Sequence, residues 1–412
     1  MEIKKGYKMT DVGVIPEDWE VKSIGDICVV KDGTHQTPNY TYFGIPFYSV
    51  ENISNNDFSN VKYISEEEHI ILSSNSKIEK GDVLMTRIGS IGCCKYIDWE
   101  VKASFYVSLA LLKFQDDECA RYFTHYSETN LFKDEIEQNS LQFAVPQKIN
   151  LGNIPKIRII LPSILKEQQL IADALTKVDN LIMSLSKVIE KKKLIKKGTM
   201  QKLLSGEMRL DGYNNIIKSV NLSDIGEIKA GGTPSTNVPS YWGGTINWLQ
   251  SGAVKNRVLD IRDVEKTITY DGLASSSAYL IKENSVLIAI TGATCGNIAY
   301  LPFKSAANQS VVAIQVNVGF NSKYIFYMLI QNSDKIVNNR GGSAQGGVAV
   351  NILKEIELCI HEDIDEQTAI ADILTTMDNE IEALEKERDK YKCIKQGMMQ
   401  QLLTGKIRLI CQ

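Results

Sequence analysis

The sequence EQQLIADALTKVDNLI, from Glu167 to Ile182, returns 199 residues later as EQTAIADILTTMDNEI, from Glu366 to Ile381, with ten of sixteen positions identical. A second pair follows at the same offset. KKGTMQKLLSGEMRL (196–210) returns as KQGMMQQLLTGKIRL (395–409), with nine of fifteen positions identical. Because an internal repeat governs the architecture before any single motif does, the chain is predicted to contain two copies of one unit.

In each copy the first repeated motif lies at the start of a long helical pattern and the second lies at its end. At 1.5 Å per residue, a helix of about 40 residues would be about 60 Å long. Its apolar residues step by three and four positions, which places them on one side of the helix, so the two stripes can bury against each other. The predicted pairing residues are Ile171, Leu175, Val178, Ile182 and Leu185 in the first helix and Ile370, Leu374, Met377, Ile381 and Leu384 in the second.

The repeat continues more weakly through the region that precedes each helix. VLMTRIG (83–89) and SVLIAITG (285–292) are short β-rich runs closed by glycine, and the intervening loops are rich in Gly, Pro, Thr and Ser. Segments with helical spacing lie between them. We therefore predict two homologous α+β domains, at 1–160 and 211–360, which alternate with helical spacers at 161–210 and 361–412.

The composition is that of an ordinary globular protein. The 412 residues are 43% hydrophobic and 23% charged, with a net charge of -4, eight cysteines and four histidines. There is no C-x-x-C pair, no recurrent metal-ligand spacing, no signal-peptide pattern and no apolar run that could span a membrane. We expect a cytoplasmic chain without a bound metal, whose overall charge gives no sign of nucleic-acid binding.

Sequence motifs for catalysis are weak or absent. No two prolines are adjacent, which excludes the Pro-Pro loop of DNA methyltransferases, and no P-loop pattern is present. DWEVK occurs at 18–22 and again at 98–102, and its Glu-x-Lys spacing is found in Mg²⁺-dependent nucleases. Two carboxylates and a lysine at this spacing also describe any solvated strand edge. A lone nuclease would depend on Glu100.

The order of domains and helices resembles the specificity subunit of type I restriction–modification systems. The segments that carry this resemblance are GVIPEDWEVKSIGDI, LPSILKEQQLIADAL, GTMQKLLSGEMRL, GGTPST, VLIAITGATCG, AANQS, GGSAQGG and GMMQQLLTGKIRL. They extend over essentially the whole chain. The second helix departs from the pattern, because CIHEDIDEQ replaces the Leu-Pro that precedes the first.

The resemblance implies a non-enzymatic DNA-binding subunit with no cofactor of its own. Each mixed domain would be a target-recognition domain for one half of a split site, and the helices would pair as an antiparallel coiled coil with pseudo-two-fold symmetry. Two modification subunits would bring S-adenosylmethionine and adenine methylation, and restriction subunits would bring ATP and Mg²⁺. A specificity subunit of a fused restriction-methyltransferase and a coiled-coil scaffold without a DNA role stay open as alternatives.

Candidate DNA contacts are polar residues in the variable loops, because base edges are read by Arg, Lys, Asn, Gln, Ser and Thr. A histidine in one of these loops is included. In the first domain they are Lys31, Thr34, His35, Gln36, Thr37, Arg87, Ser90, Gln142 and Lys148. In the second domain they are Thr233, Ser235, Thr236, Lys255, Asn256, Arg257, Arg340 and Gln345.

Overall fold

Two mixed regions of short strands and helices alternate with two long helices in a computed structural model, which describes residues 5–141, 143–214, 216–338 and 347–410. The candidate DNA contacts Gln142, Arg340 and Gln345 lie outside the described residues.

The first region contains four small sheets and ends in a long helix. Its strands are β1 (Tyr7–Thr10), β2 (Gly13–Pro16), β3 (Trp19–Ser23), β4 (Cys28–Asp32), β5 (Tyr40–Thr41), β6 (Ile45–Tyr48), β7 (Lys62–Ile64), β8 (Val83–Thr86), β9 (Cys94–Tyr96), β10 (Ser104–Phe105), β11 (Leu109–Phe114) and β12 (Arg158–Pro162). Its helices are α1 (Ile24–Ile27), α2 (Val50–Ser54), α3 (Glu66–Ser73), α4 (Asp117–Tyr126), α5 (Asn130–Asn139) and the 41-residue α6 (Leu165–Ser205).

The second region repeats this plan. Its strands are β13 (Ile217–Asn221), β14 (Gly226–Ala230), β15 (Trp242–Leu249), β16 (Arg257–Val258), β17 (Lys266–Ile268), β18 (Ser285–Ala289), β19 (Ile298–Leu301), β20 (Ala306–Ala307), β21 (Val311–Val316) and β22 (Glu357–His361). Its helices are α7 (Leu222–Ile225), α8 (Tyr270–Ala274), α9 (Ser322–Gln331), α10 (Ser333–Val337), α11 (Val350–Lys354) and the 39-residue α12 (Ile364–Leu402).

The sheet topologies of the two regions correspond. The main sheet has the order β4-β11-β8-β9 in the first region and β14-β21-β18-β19-β16 in the second. Every residue of β8 and β18 is buried. Because these strands are covered on both faces, their sequences are continuous apolar runs rather than alternating patterns. A smaller sheet pairs β6 with β7 and β10, as β15 pairs with β17 and β20. The fold is α+β, as the sequence predicts.

The chain forms two compact units that cut across the long helices. The first unit contains residues 1–186 and 386–412, and the second contains residues 187–385. Each unit therefore holds one mixed region, the start of the helix that follows it, and the end of the other helix.

The long helices run antiparallel within each unit. In the first unit Ile171 and Leu175, near the start of α6, share one buried core with Leu402 and Leu403, at the end of α12. Asp179, further along α6, pairs with Lys395, which comes earlier in α12. The contacts therefore advance along α6 while they go back along α12, which defines the direction.

The second unit contains the same contact with the helices exchanged. Leu203 and Leu204, at the end of α6, share a core with Ile370 and Leu374 of α12. The remaining predicted pairing residues are buried at Ile381 and half-buried at Val178, Ile182, Leu185, Met377 and Leu384. The pairing role of these middle residues stays a prediction, as do the four segment boundaries.

Candidate nucleic-acid interface

Strand register brings the predicted loops of the first unit to one edge of its main sheet. β4 and β8 both lie antiparallel to β11, where Asp32 is opposite Ala110 and Thr86 is opposite Leu109. The loops that follow β4 and β8 therefore leave the sheet side by side, next to the connection from β10 to β11.

Backbone hydrogen bonds join these loops to each other. Arg87 donates its N–H to the Ser108 carbonyl at 2.9 Å and accepts from the Ile149 N–H at 3.0 Å, and Gly89 donates to the Gln147 carbonyl at 2.8 Å. Residues 31–37, 87–90, 105–108, 141 and 143–149 form the surface that we name loop cluster A. Within its described part lie all the first-domain candidates except Gln142.

Most candidates in loop cluster A reach solvent. His35, Gln36, Thr37 and Ser90 are exposed, and Thr34 and Lys148 are half-buried. Lys31 is half-buried and donates to the Asn75 carbonyl at 2.9 Å.

Arg87 corrects one sequence-based expectation, because it does not project outward as a DNA contact would. The residue is 5% exposed. Its Nε–H donates to the Val107 carbonyl at 2.6 Å, and its Nη2 lies 3.0 Å from Asp32 Oδ1. A buried guanidinium needs such partners. Arg87 therefore fixes the end of β4 to the β10–β11 connection.

The second unit builds the equivalent surface with the same register. Ala230, at the end of β14, is opposite Val312, and Ala289, at the end of β18, is opposite Val311. The backbone bonds also repeat, because Ile290 donates to the Ser310 carbonyl and accepts from Val348, each at 2.9 Å. Residues 230–236, 254–257, 290–297, 308–310 and 347–348 are named loop cluster B.

The candidates in loop cluster B divide into exposed and internally bonded side chains. Ser235, Thr236 and Lys255 are exposed. Thr233 donates its hydroxyl to Gln309 Oε1, and Arg257 forms an ion pair with Asp263. Their partners compete with any bond to DNA.

Asn256 has a structural task that its sequence did not reveal. Its φ is +54°, in the left-handed region that asparagine tolerates better than most residues. Its Oδ1 accepts a 2.8 Å bond from the Ile298 backbone N–H, which fixes the 254–257 loop beside the start of β19. This side-chain oxygen is already used within the protein, so a base-reading role for Asn256 would rest on its amide nitrogen.

The repeated Glu and Arg of the sequence motifs meet in each unit. In the first unit Arg408 binds the buried Glu167 through two bonds of 2.6 and 2.7 Å, and Trp19 Nε1 donates to the same carboxylate at 3.1 Å. Arg408 also binds Asp18 at 2.8 and 2.6 Å, and these bonds lower the pKa of Asp18. The sequence signal for this contact was the shared offset of the E-Q and R-L motifs.

The second unit has the matching pair. Arg209 binds the buried Glu366 through bonds of 2.8 and 2.7 Å. Both pairs have the bidentate geometry that guanidinium and carboxylate favour. Each pair ties the start of one long helix to the segment that follows the end of the other.

A second contact that occurs in both units lies further from the start of each long helix, at Asp179 in α6 and at Asp378 in α12. Lys395 forms an ion pair of 2.8 Å with Asp179 in the first unit, and Lys196 forms one of 2.5 Å with Asp378 in the second. The same aspartates face a ring from the mixed region. Tyr327 donates to Asp378 at 2.8 Å, whereas His125 Nδ1 lies 3.7 Å from Asp179.

His125 lies in a site that disfavours a charged imidazole. Burial lowers its pKa to about 4, and the nearby Asp179 only partly opposes this effect. Its Nε2 lies 3.0 Å from the Thr176 hydroxyl, and its Nδ1 has no hydrogen-bond partner among the described residues. The ring is therefore neutral at physiological pH.

One group in the described part of the chain has the spacing of a metal site, namely His125, Glu128 and Asp179. The ammonium of Lys395 lies 2.7 Å from Glu128 and 2.8 Å from Asp179. A lysine in this position already neutralises the two carboxylates and occupies the place of a cation. The group is therefore a salt-bridge network.

The DWEVK segments do not assemble a nuclease site in the described residues. In the first copy Asp18 binds Arg408, and Glu20 pairs with Lys22 at 2.9 Å. In the second copy Lys102 pairs with Glu66 at 2.5 Å. The first copy serves instead to anchor the helix, through Asp18 and Trp19.

A family model described as the type I restriction modification DNA specificity domain matches the chain twice, at residues 16–196 and 216–390. The chain belongs to this family. It is accordingly a DNA-specificity chain of a type I restriction–modification system, and each family match contains one loop cluster and the first part of one long helix.

Curated relatives agree with this assignment over the full length. The chain is 28% identical to the putative type I restriction enzyme MjaX specificity subunit of Methanocaldococcus jannaschii, over 98% of this chain and 97% of the relative. It is 24% identical to the MjaVIII specificity subunit of the same organism, over 96% and 94%.

Solved structures share the fold. The S subunit of a type I restriction–modification system from M. genitalium superposes with a TM-score of 0.67 at 14% identity, over 98% of both chains. A chain from a study of complex assembly and conformational transition of the type I system gives 0.53 at 13% identity, over 95% of this chain and 99% of the other. No helix in the described residues is long and apolar enough to cross a membrane.

Proposed function

We propose that this chain recognises a DNA site in two halves and directs partner subunits to it without catalysing a reaction itself. Residues 1–160 and 211–360 would be the two target-recognition domains, and residues 161–210 and 361–412 the helical spacers. Loop cluster A would read one half-site and loop cluster B the other.

The observation that carries this proposal is the pairing of one strand register with two different sets of loops. Matching backbone hydrogen bonds hold both clusters in place; Arg87 makes them in the first unit and Ile290 makes them in the second. At matched positions the clusters share Gly33/Gly232, Thr34/Thr233 and Thr37/Thr236, but they differ at Asp32, His35 and Arg87, where the second unit has Gly231, Pro234 and Ile290. A repeated frame with diverged loops suits two readers of different sequences, because loops can change without altering the scaffold that positions them.

The net charge of -4 is compatible with this function. Phosphate contacts supply much of the affinity for DNA but carry no sequence information, whereas base contacts specify. Partner subunits can provide the phosphate contacts. We propose two modification subunits with S-adenosylmethionine for adenine methylation, and restriction subunits with ATP and Mg²⁺, assembled in the cytoplasm.

Other functions fit the observations less well. A scaffold would not need two different loop clusters on one frame. A specificity subunit for a fused restriction-methyltransferase would have the same features, and the partner that co-purifies with the chain would distinguish it. For a lone nuclease, Glu100→Gln should abolish DNA cleavage, and cleavage that persists in this variant would exclude it.

Methylation sequencing tests the proposal. DNA from cells that express the cognate modification subunit should acquire a split adenine-methylation motif only when this chain is also expressed. A hybrid whose residues 20–160 come from another specificity subunit should change one half-site and keep the other. A folded complex of chain and modification subunit that methylates no motif would contradict the proposal.

A further inference from the structure

The His35 ring in loop cluster A is held in a defined orientation by Asp32. Its Nε2 lies 2.8 Å from Asp32 Oδ2, while 71% of the side chain is exposed. A carboxylate only accepts hydrogen bonds, so the ring nitrogen that faces it carries the proton. In the neutral ring the other nitrogen, Nδ1, then carries a lone pair.

Asp32 is itself fixed from the protein interior. Its Oδ1 lies 3.0 Å from Arg87 Nη2 and accepts a 3.0 Å bond from the Gly33 N–H. Arg87 is buried and bound to the Val107 carbonyl. This leaves Oδ2 for His35. A chain of contacts from Arg87 through Asp32 therefore determines that the ring edge with Nδ1 is presented to solvent.

Gly33 allows the loop to lie close to the β10–β11 connection. A Cβ at this position would come within 2.6 Å of the Tyr106 carbonyl carbon and oxygen. Thr34 continues the approach, with its N–H bonded to the Phe105 carbonyl at 3.2 Å and its carbonyl accepting from Val107 at 2.9 Å. On the other side of His35, the Gln36 N–H donates to Thr34 Oγ1 at 3.2 Å. The backbone on both sides of His35 is therefore supported, and the accepting nitrogen has a fixed place on the surface.

We propose that His35 accepts a hydrogen bond from an exocyclic amino group in the major groove, N6 of adenine or N4 of cytosine, at one base pair of the first half-site. The inference rests on the proposed function and adds the chemistry of one contact. In the major groove only these amino groups donate, whereas O6 of guanine, O4 of thymine and the purine N7 atoms accept. Guanine or thymine at that position would place two acceptors face to face. Asp32 and Arg87 are positioning residues for this contact.

The second unit has different residues at the three positions that match Asp32, His35 and Arg87. At the matching positions Gly231 replaces Asp32, Pro234 replaces His35 and Ile290 replaces Arg87. None of these three side chains can accept or donate a hydrogen bond. The second half-site therefore serves as a control within the same molecule.

The test uses the full chain in complex with its modification subunit. In His35→Ala we expect the methylated motif to lose its preference for adenine or cytosine at one position of the first half-site, with the second half-site unchanged. His35→Gln, whose amide can donate or accept, should relax the same position. Lys22→Ala, an exposed pair partner of Glu20 on β3, is the matched control and should leave the whole motif intact.

Duplexes without the amino group isolate the proposed bond. Purine in place of adenine, or 2-pyrimidinone in place of cytosine, should weaken binding by the wild-type complex about tenfold, the effect of one hydrogen bond. The His35→Ala complex should bind the duplex with the amino group and the duplex without it equally. Asp32→Asn should reduce the discrimination without removing it, because its amide oxygen can still accept from the Nε2 proton, while its N–H can also donate to Nε2 and so allow the tautomer with the proton on Nδ1.

The outcomes separate this inference from the proposed function. A split motif that is identical in wild type and His35→Ala would overturn the role of His35 and leave the two-reader function standing. Binding that weakens equally for all four bases would mean a phosphate contact and would also overturn it. Absence of any sequence-specific methylation by the wild-type complex would refute the proposed function itself.

Discussion

The two units share their helix anchors and differ in their loop clusters. Glu167 with Arg408 and Glu366 with Arg209 have the same bidentate geometry, although each arginine comes from the far end of the other helix. Buried carboxylates tolerate few substitutions, because a charge without its partner is costly in the interior. The repeated sequence motifs therefore contain the residues that join the start of one long helix to the segment after the other within each unit.

The loop clusters show the opposite behaviour on an equally regular frame. The ion pair between Asp32 and Arg87 supports loop cluster A, whereas Gly231 and Ile290 occupy the matching places in loop cluster B. Both arrangements leave the backbone bonds of the frame unchanged. Divergence is tolerated where side chains lie at strand ends, and it is restricted where they join the helices.

The largest expected effect comes from removing an anchor carboxylate. Glu366→Ala should destabilise the second unit strongly, because it removes a fully buried side chain together with both of its bonds to Arg209. Glu167→Ala leaves Arg408 bound to Asp18 but removes the acceptor of the buried Trp19 N–H, so we expect a comparable loss in the first unit. Hydrogen exchange of the core amides of each unit measures both changes. Small losses in both variants would show that the anchors are not what closes the units.

A somewhat smaller effect is expected in the apolar contacts between the helices. Leu175→Ala and Leu374→Ala should each cost about 3 kcal/mol, because both side chains are fully buried and truncation leaves a cavity. Leu194→Ala, at a position that is 67% exposed on α6, is the control and should cost well under 1 kcal/mol. Urea-unfolding midpoints compare the three variants. Similar shifts for all of them would contradict the assigned packing.

The two rings at the repeated aspartates predict a difference in pH dependence. The pKa of His125 is about 4 in the folded chain and 6.5 in the unfolded chain. Between these two values the unfolded chain therefore binds a proton that the folded chain does not. Stability should fall between pH 6.5 and 4, by about 2 kcal/mol at pH 5.

His125→Tyr copies the side chain that the second unit places at Tyr327, and it should remove this contribution. The charged groups around the ring, Asp179, Glu128, Lys395 and Arg121, stay in place in the variant. Unfolding midpoints of the first unit between pH 7 and 4.5 give the measurement. A pH profile that is identical in wild type and variant would show that His125 is not the responsible group.

The smallest effect is expected for an ion pair that occurs in one unit. Lys192 and Glu380 lie 2.7 Å apart, but their side chains are 40% and 53% exposed. Tyr391 and Leu181 stand at the matching positions of the other unit. Lys192→Ala should therefore change the stability by less than about 1 kcal/mol. A loss comparable to that of Glu366→Ala would erase the distinction between repeated and unrepeated contacts.

Sequence periodicity predicted the long helices because their apolar spacing is local and unbroken. It also located the loops after β8 and β18, where buried runs end in glycine. It could not show that Arg87 is buried or that Asn256 bonds to Ile298. Those outcomes depend on contacts with residues 20 and 42 positions away, Val107 and Ile298. Polar residues in a loop have the same sequence signature whether they face solvent or a neighbouring backbone.

The sequence by itself determined the duplication, the α+β class, the two helices and the family. Each of these follows from apolar periodicity or from motifs that repeat along the chain. Only the tertiary structure decided that each unit is completed by the end of the other helix, and that Glu167 meets Arg408 across 241 positions. It also decided the chain of contacts from Arg87 through Asp32 to His35. The physical reason is that strand register and helix packing bring distant residues together, and a buried charge is stable only beside the partner that the fold supplies.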